Sequence, residues 1–149
     1  MAILEPPDHI GWLLVNAGQH WRDRFVAAMQ QAGYPDFTLS RANLLGNVDR
    51  FRGTRMVDLA ARLGMTKQAV GQIVDDLEAA GYLARVADPA DGRAKRAVYT
   101  DAGVALLRTA DRVKGEIEAG LAATIGEDDV RALSDLLRRA AAAMAREDG

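Results

Sequence analysis

The stretch from Met56 to Thr100 leaves few ways to fold. Its opening, MVDLAARL, sets Val57, Leu59, Ala60 and Leu63 at helical spacing. Gly64 follows, a residue that can leave a helix at positive φ, and Thr66 is a side-chain N-cap for a new helix. That second helix carries Val70, Ile73, Leu77 and Ala80 at spacings of three, four and three, an apolar stripe that needs a core. Two short helices joined through one glycine, with small Ala60 and compact Val70 at the crossing, carry the signature of a helix-turn-helix.

The opposite face of the second helix is polar. Lys67, Gln68, Gly71, Gln72 and Asp75 fall on one side, and the reach is concentrated in the first two turns. The N-terminal end of such a helix enters a major groove. A glutamine amide can pair with adenine, and a lysine can reach a guanine edge or a phosphate. Thr66 and the free amides of the first turn suit a phosphate oxygen, and Gly71 permits close approach. A solvated helix face has the same composition and needs no ligand.

The next segment adds weight to the reading. Tyr82 to Ala87 reads as a strand, Asp88-Pro89-Ala90-Asp91-Gly92 as a turn, and Ala94 to Thr100 as a return strand. Arg93, Lys95 and Arg96 crowd the end of this hairpin. A guanidinium at the tip of a hairpin beside a reading helix can enter the adjacent minor groove, where narrow A·T tracts concentrate negative potential. Asp91, two residues from Arg93, is placed to hold it extended. Alone, a turn of this kind is an ordinary surface hairpin; its position directly after a helix-turn-helix is the specific feature.

These residues resemble the MarR-type winged helix-turn-helix transcriptional regulators. The likeness rests on DLAARLGMTKQAVGQIVDDLEAAGYLAR, on DPADGRAKR and on YTDAG, above all Asp91 with Arg93 and Thr100 with Gly103. Length and arrangement match across almost the whole chain, and specific motif from Met56 to Leu107. Tyr99 stands where the family usually has an aliphatic residue, and Asp76 where a basic one is common. The resemblance implies a mostly helical fold of about six helices with a small antiparallel β-wing, and N- and C-terminal helices that dimerise. It also implies an effector, often phenolic or carboxylate, lodged between the dimer helices and the DNA-binding lobe.

Charge is distributed to suit this. The formal net charge of −2 is unpromising for a partner of nucleic acid, yet Arg41 to Thr100 holds ten basic against seven acidic residues, and the remainder nine against fourteen. A local excess this modest implies binding that relies on doubled contacts and weakens with salt. With 149 residues, 49% of them hydrophobic, the chain makes one compact domain or two lobes sharing a core. No apolar run approaches the ~20 residues that span a bilayer, and MAILEPPDH has no leader-like pattern, which points to the cytoplasm. The absence of cysteine removes disulfides, thiolate metal sites and thiol redox sensing together.

The rest of the chain reads as helices. Pro6, Pro7 and Asp8 start the first, with Asp8 as N-cap. Ile10, Leu14, Ala17, Trp21, Phe25, Ala28 and Ala32 form its stripe, and Gly33 with Pro35 closes it. A second begins near Ser40 with Leu44, Leu45 and Val48 inward, and Arg50 to Arg55 is a basic connection through Gly53 with a short strand completing the sheet. After Thr100, Val104, Leu107, Val113, Ile117 and Leu121 face inward as far as Gly126. The acids Glu127, Asp128 and Asp129 open a last helix carrying Val130, Leu133, Leu136, Leu137 and Met144. Long helices at both ends, apolar on more than one side, have little to pack on within one small protomer. A two-fold pairing would cover them and would set two reading helices one DNA turn apart. The organisation expected is a dimerisation helix over 1–39, a DNA-binding lobe over 40–100 and dimerisation helices over 101–149.

Trp12, Asn16 and His20 form a ladder at helical spacing on the first helix, a candidate wall for a small aromatic or carboxylate effector under the family resemblance and otherwise a packing stripe. His9, His20, Asp8 and Asp23 match no metal-ligand spacing. Two histidines, with neither cysteine nor a Gly-rich phosphate loop, supply no nucleophile–base pair, so neither an enzyme nor a cofactor is expected. The expected sites are Thr66, Lys67, Gln68 and Gln72 in the major groove and Arg93 with Lys95 on the wing, supported by Asp91. Double-stranded DNA and a second copy of the chain are the expected partners. The alternative is a winged-helix module that binds protein through the same hairpin.

Overall fold

The computed structural model describes residues 9–145. They form two compact units, one ending at Ala110 and the other starting at Asp111. The elements are α1 (Ile10–Gln31), α2 (Leu39–Asn47), β1 (Thr54–Arg55), α3 (Met56–Leu63), α4 (Lys67–Ala79), β2 (Leu83–Ala87), β3 (Lys95–Tyr99), α5 (Asp101–Ile125) and α6 (Glu127–Met144). Six helices and a three-stranded antiparallel sheet make the mostly helical winged helix-turn-helix expected from the sequence. Among the described residues no helix is long and apolar enough to cross a membrane.

The turn of the helix-turn-helix follows its residues closely. Gly64 takes φ 60, and the Met65 N–H reaches back to the Ala60 carbonyl at 3.0 Å, closing α3 in the left-handed manner that glycine allows. The Thr66 hydroxyl accepts the Ala69 N–H at 3.1 Å and so caps α4. Inside, Leu59 and Ala60 of α3 are buried, as are Val70, Val74 and Leu77 of α4. The stripe differs from the expected one. Val74, fully buried, takes the place given to Ile73, which is half-buried, and Val57 and Ala80 are exposed. Ala80 is the C-cap of α4 and Gly81 turns away at φ 81, so the stripe ends at Leu77.

The sheet order is β1-β3-β2. Leu83 lies opposite Tyr99 and Ala87 opposite Lys95, while Thr54 and Arg55 of the short first strand face Ala97 and Arg96. The loop into β1 is held by Asp49, whose Oδ1 accepts the Phe51 N–H at 2.9 Å and the Arg52 N–H at 2.7 Å. At Gly53, φ 67 and the closeness of the Ala97 carbonyl leave no room for a side chain. At the other end of the sheet, Thr100 accepts the Gly103 N–H at 3.0 Å and donates to the Gly81 carbonyl at 2.5 Å. A Cβ on Gly103 would collide with the Tyr82 carbonyl oxygen. The Thr-x-x-Gly pair therefore fastens the start of α5 to the end of α4.

The long helices bury less than their periodicity suggests. In α1 only Phe25 and Met29 are buried, and Met29 was not in the expected stripe. Ile10, Ala17 and Trp21 are exposed, and Leu14, Ala28 and Ala32 half-buried. His9 caps this helix by accepting the Trp12 N–H at 3.1 Å; Pro6, Pro7 and Asp8 lie outside the described residues. Leu44, Leu45 and Val48, expected inward, are buried. In α5, Leu106, Ala110 and Val113 are buried, whereas Val104 and Leu121 are exposed and Leu107 and Ile117 half-buried. Of the apolar residues expected to face inward on α6, only Val130 is buried; Leu133, Leu136, Leu137 and Met144 are open to solvent. Each of these helices spends one face on its own chain and leaves another uncovered.

Candidate nucleic-acid interface

With Val70, Val74 and Leu77 turned inward, Lys67, Gln68, Gln72 and Asp75 are exposed on the outer side of α4. Lys67, Gln68 and Gln72 make no side-chain hydrogen bond or ion pair within the protomer among the described residues, so their donors and acceptors are available. A Cβ at Gly71 would meet nothing within 4 Å, so the space next to this position is open. Asp75 differs from the other outer residues because its carboxylate pairs with Arg85 at 2.7 Å. Arg85 projects from β2, bonds Glu78 as well, and gives Nη2 to the Gly71 carbonyl at 3.0 Å, which fixes the second half of α4 to the sheet. Sequence reasoning did not foresee this bracket.

On the wing, Arg93 and Lys95 are exposed and without side-chain partners among the described residues. The support from Asp91 works through the backbone. Its Oδ1 accepts the Arg93 N–H at 3.1 Å, and no ion pair joins it to the guanidinium. Arg96, which reads in the sequence like its neighbours, is engaged elsewhere.

The centre of that engagement is Asp88, whose side chain is fully buried. Its Oδ2 accepts Arg55 Nε at 2.7 Å and Arg96 Nε at 2.8 Å, and its Oδ1 accepts Arg55 Nη2 at 3.1 Å and the Ala90 N–H at 2.8 Å. The hydrogen bonds from Arg55 and Arg96 hold this carboxyl well below the usual carboxylate range against the opposing effect of burial. The hydrogen bond to Asp88 in turn raises the already high value of Arg55. Every buried side-chain nitrogen and oxygen among the described residues has a partner. Only an aspartate opening a turn hinted at this site, because its two arginines lie 33 and 8 residues away.

The remaining candidates lie on α1. Trp12 and His20 are exposed and Asn16 is half-buried, and His9 is occupied as the cap. Among the described residues no group of three or more His, Asp or Glu is placed to hold a metal ion.

Residues 36–94 match the MarR family model, a span that contains α2, the helix-turn-helix and the whole turn of the wing. An HTH-type transcriptional repressor of Mycobacterium tuberculosis is 28% identical over 130 residues, covering 87% of this chain and 91% of its own. A mutant MarR from E. coli superposes with a TM-score of 0.76 at 20% identity, over 91% of this chain and 98% of that one. CouR bound to a 23-mer DNA duplex gives 0.75 at 24% identity, over 94% and 99%; CouR from Rhodococcus jostii has also been solved with p-coumaroyl-CoA. In the region that matches, in a relative aligned over most of its length and in the shared fold, the chain is similar to the MarR family of winged helix-turn-helix proteins.

Proposed function

We propose that the chain is a sequence-specific repressor of transcription that binds a palindromic duplex as a homodimer. The observation that carries this is the pairing of two outward-facing sets. Lys67, Gln68 and Gln72 lie in the first turns of α4 with no internal partner, and Arg93 and Lys95 stand free on the adjacent wing. Glutamine amides read adenine edges in the major groove, Lys67 and the capped first turn take phosphate or guanine, and the wing cations enter the neighbouring minor groove. Other winged helices use the hairpin to bind protein, but a reading face of amides and free cations favours nucleic acid.

The second copy is called for by the uncovered faces. Ile10, Leu13 and Val15 of α1, and Leu133, Leu136 and Leu137 of α6, are exposed apolar residues on long helices. In this reading residues 1–39 and 101–149 build the dimer and residues 40–100 read DNA. A small aromatic or carboxylate effector packs against Trp12, Asn16 and His20; that CouR, similar in fold, has been solved bound to p-coumaroyl-CoA supports an effector of this class. Its binding changes the distance between the two heads, which requires different affinities for the two arrangements. The protein acts by occupancy in the cytoplasm, without a catalytic step.

Selection from randomised duplexes, followed by sedimentation of the complex, tests the proposal. Enrichment of an inverted repeat with half-sites about one helical turn apart, bound by two chains, is expected. Recovery of no preferred sequence, or a single chain per duplex, overturns it.

A further inference from the structure

We infer that Asp88 is a positioning residue that sets the pose of Arg93 on the wing, so that hairpin and reading helix meet the duplex as one rigid head. This deepens the DNA-binding reading and rests on it. Asp88 directly follows β2, and its carboxylate gathers three separate stretches of chain. Arg55, the last residue of β1 and the N-cap of α3, reaches it from the entrance to the helix-turn-helix, and Arg96 reaches it from β3 while giving Nη1 to the Arg52 carbonyl at 2.8 Å. The third stretch is the turn itself, through the amides of Ala90 at 2.8 Å and Asp91 at 3.2 Å. Its own N–H donates to the Ala94 carbonyl at 3.0 Å, across the mouth of the turn.

From there the restraint passes to the apex. Asp91, held by Asp88, accepts the Arg93 N–H at 3.1 Å, and its carbonyl takes the Ala94 N–H at 2.9 Å. The Arg93 side chain is exposed and makes no hydrogen bond or ion pair among the described residues, so its direction follows its backbone. That backbone is connected to the start of α3 through Asp88 and Asp91. Five acceptor bonds restrain a carboxylate with no exposed surface.

A group that merely stabilised the lobe would weaken all DNA contacts alike. A positioning group acts through Arg93 and leaves Gln72 independent. Double-mutant cycles separate the two, using full-length protein and the selected duplex, with affinity read by fluorescence anisotropy at two salt concentrations. The expected result is that Asp88→Asn loses the same affinity and the same salt slope as Arg93→Ala. The double variant should be no weaker than Arg93→Ala to within about twofold, the scatter of additive cycles. Asp88→Asn and Gln72→Ala should instead multiply. Losses that multiply for Asp88 with Arg93, or an Asp88→Asn chain that binds like wild type, overturn the inference. If Asp88→Asn does not fold by circular dichroism, Arg96→Lys keeps the charge but gives up the Nε geometry, and enters the same cycles. Failure of the wild-type chain to bind any duplex is a different outcome and removes the underlying reading as well.

Discussion

Arg93→Ala isolates a contact of the wing cleanly. The side chain has no partner among the described residues, so its loss leaves every internal hydrogen bond in place, including the Arg93 N–H to Asp91. Each phosphate neutralised on a B-form duplex adds about −0.9 to the slope of log K against log salt. One Arg93 per protomer gives two contacts on a palindrome, so the slope should flatten by about 1.8. Between about 50 and about 200 mM salt, that difference means the wild-type chain loses about twelvefold more affinity than the variant does. A single head on the duplex would give only about 3.5-fold over the same range. Anisotropy titrations with a labelled operator measure the slope, and an unchanged thermal melt confirms that only the contact was lost. An unchanged slope would remove the wing from the interface; a half-sized change would refute symmetric docking of two heads.

Asp88 and Asp49 give a test in acid. The guanidiniums of Arg55 and Arg96 depress the first carboxyl, and the N–H groups of Arg52 and Phe51 the second. A carboxyl depressed on folding contributes stability that is complete above its unfolded value of about 4 and is lost as pH falls below it. Urea midpoints should therefore fall below about pH 4, and less steeply for Asp88→Asn; parallel curves would contradict the ion-pair reading. Gly103→Ala drives a methyl into the Tyr82 carbonyl, with the Tyr99 ring 3.0 Å away, and should cost about 1–3 kcal/mol in a denaturant melt. An unchanged melt would mean that α5 can start elsewhere. Leu136→Glu places a charge on the uncovered face of α6 and should shift sedimentation from dimer towards monomer; an unaltered dimer would exclude that face from the interface.

What could be read from the residues was mainly local. The glycine at position 64, the Thr66 cap and the short strand before α3 are features of a few neighbouring residues, and all three are present. The stripe of α4 was displaced because Ile73 and Val74 are adjacent apolar residues, and only the packing decides which turns inward. The arginines were harder still. Arg93, Lys95 and Arg96 look alike on the page, yet successive residues of a strand point to opposite faces, which leaves Lys95 outward and takes Arg96 under the turn to Asp88. Arg55 and Asp88 meet across 33 residues, and no local pattern announces such a pair. Apolar periodicity also could not say how much of α1 and α6 the chain covers with its own residues. It marks a face that avoids water, whichever chain supplies the cover.

The separation of roles along α4 has an evolutionary consequence. Val70, Val74 and Leu77 anchor the helix, while Lys67, Gln68 and Gln72 make no contact that folding requires. Exchanging those outer residues should alter stability by no more than about 0.5 kcal/mol, the usual range for surface positions without a structural role. Where these residues read the duplex as proposed, a duplicated gene can drift to a new target by changing a handful of codons while its scaffold stays intact. Paralogues descended from such a chain would diverge in the letters they recognise long before they diverge in shape.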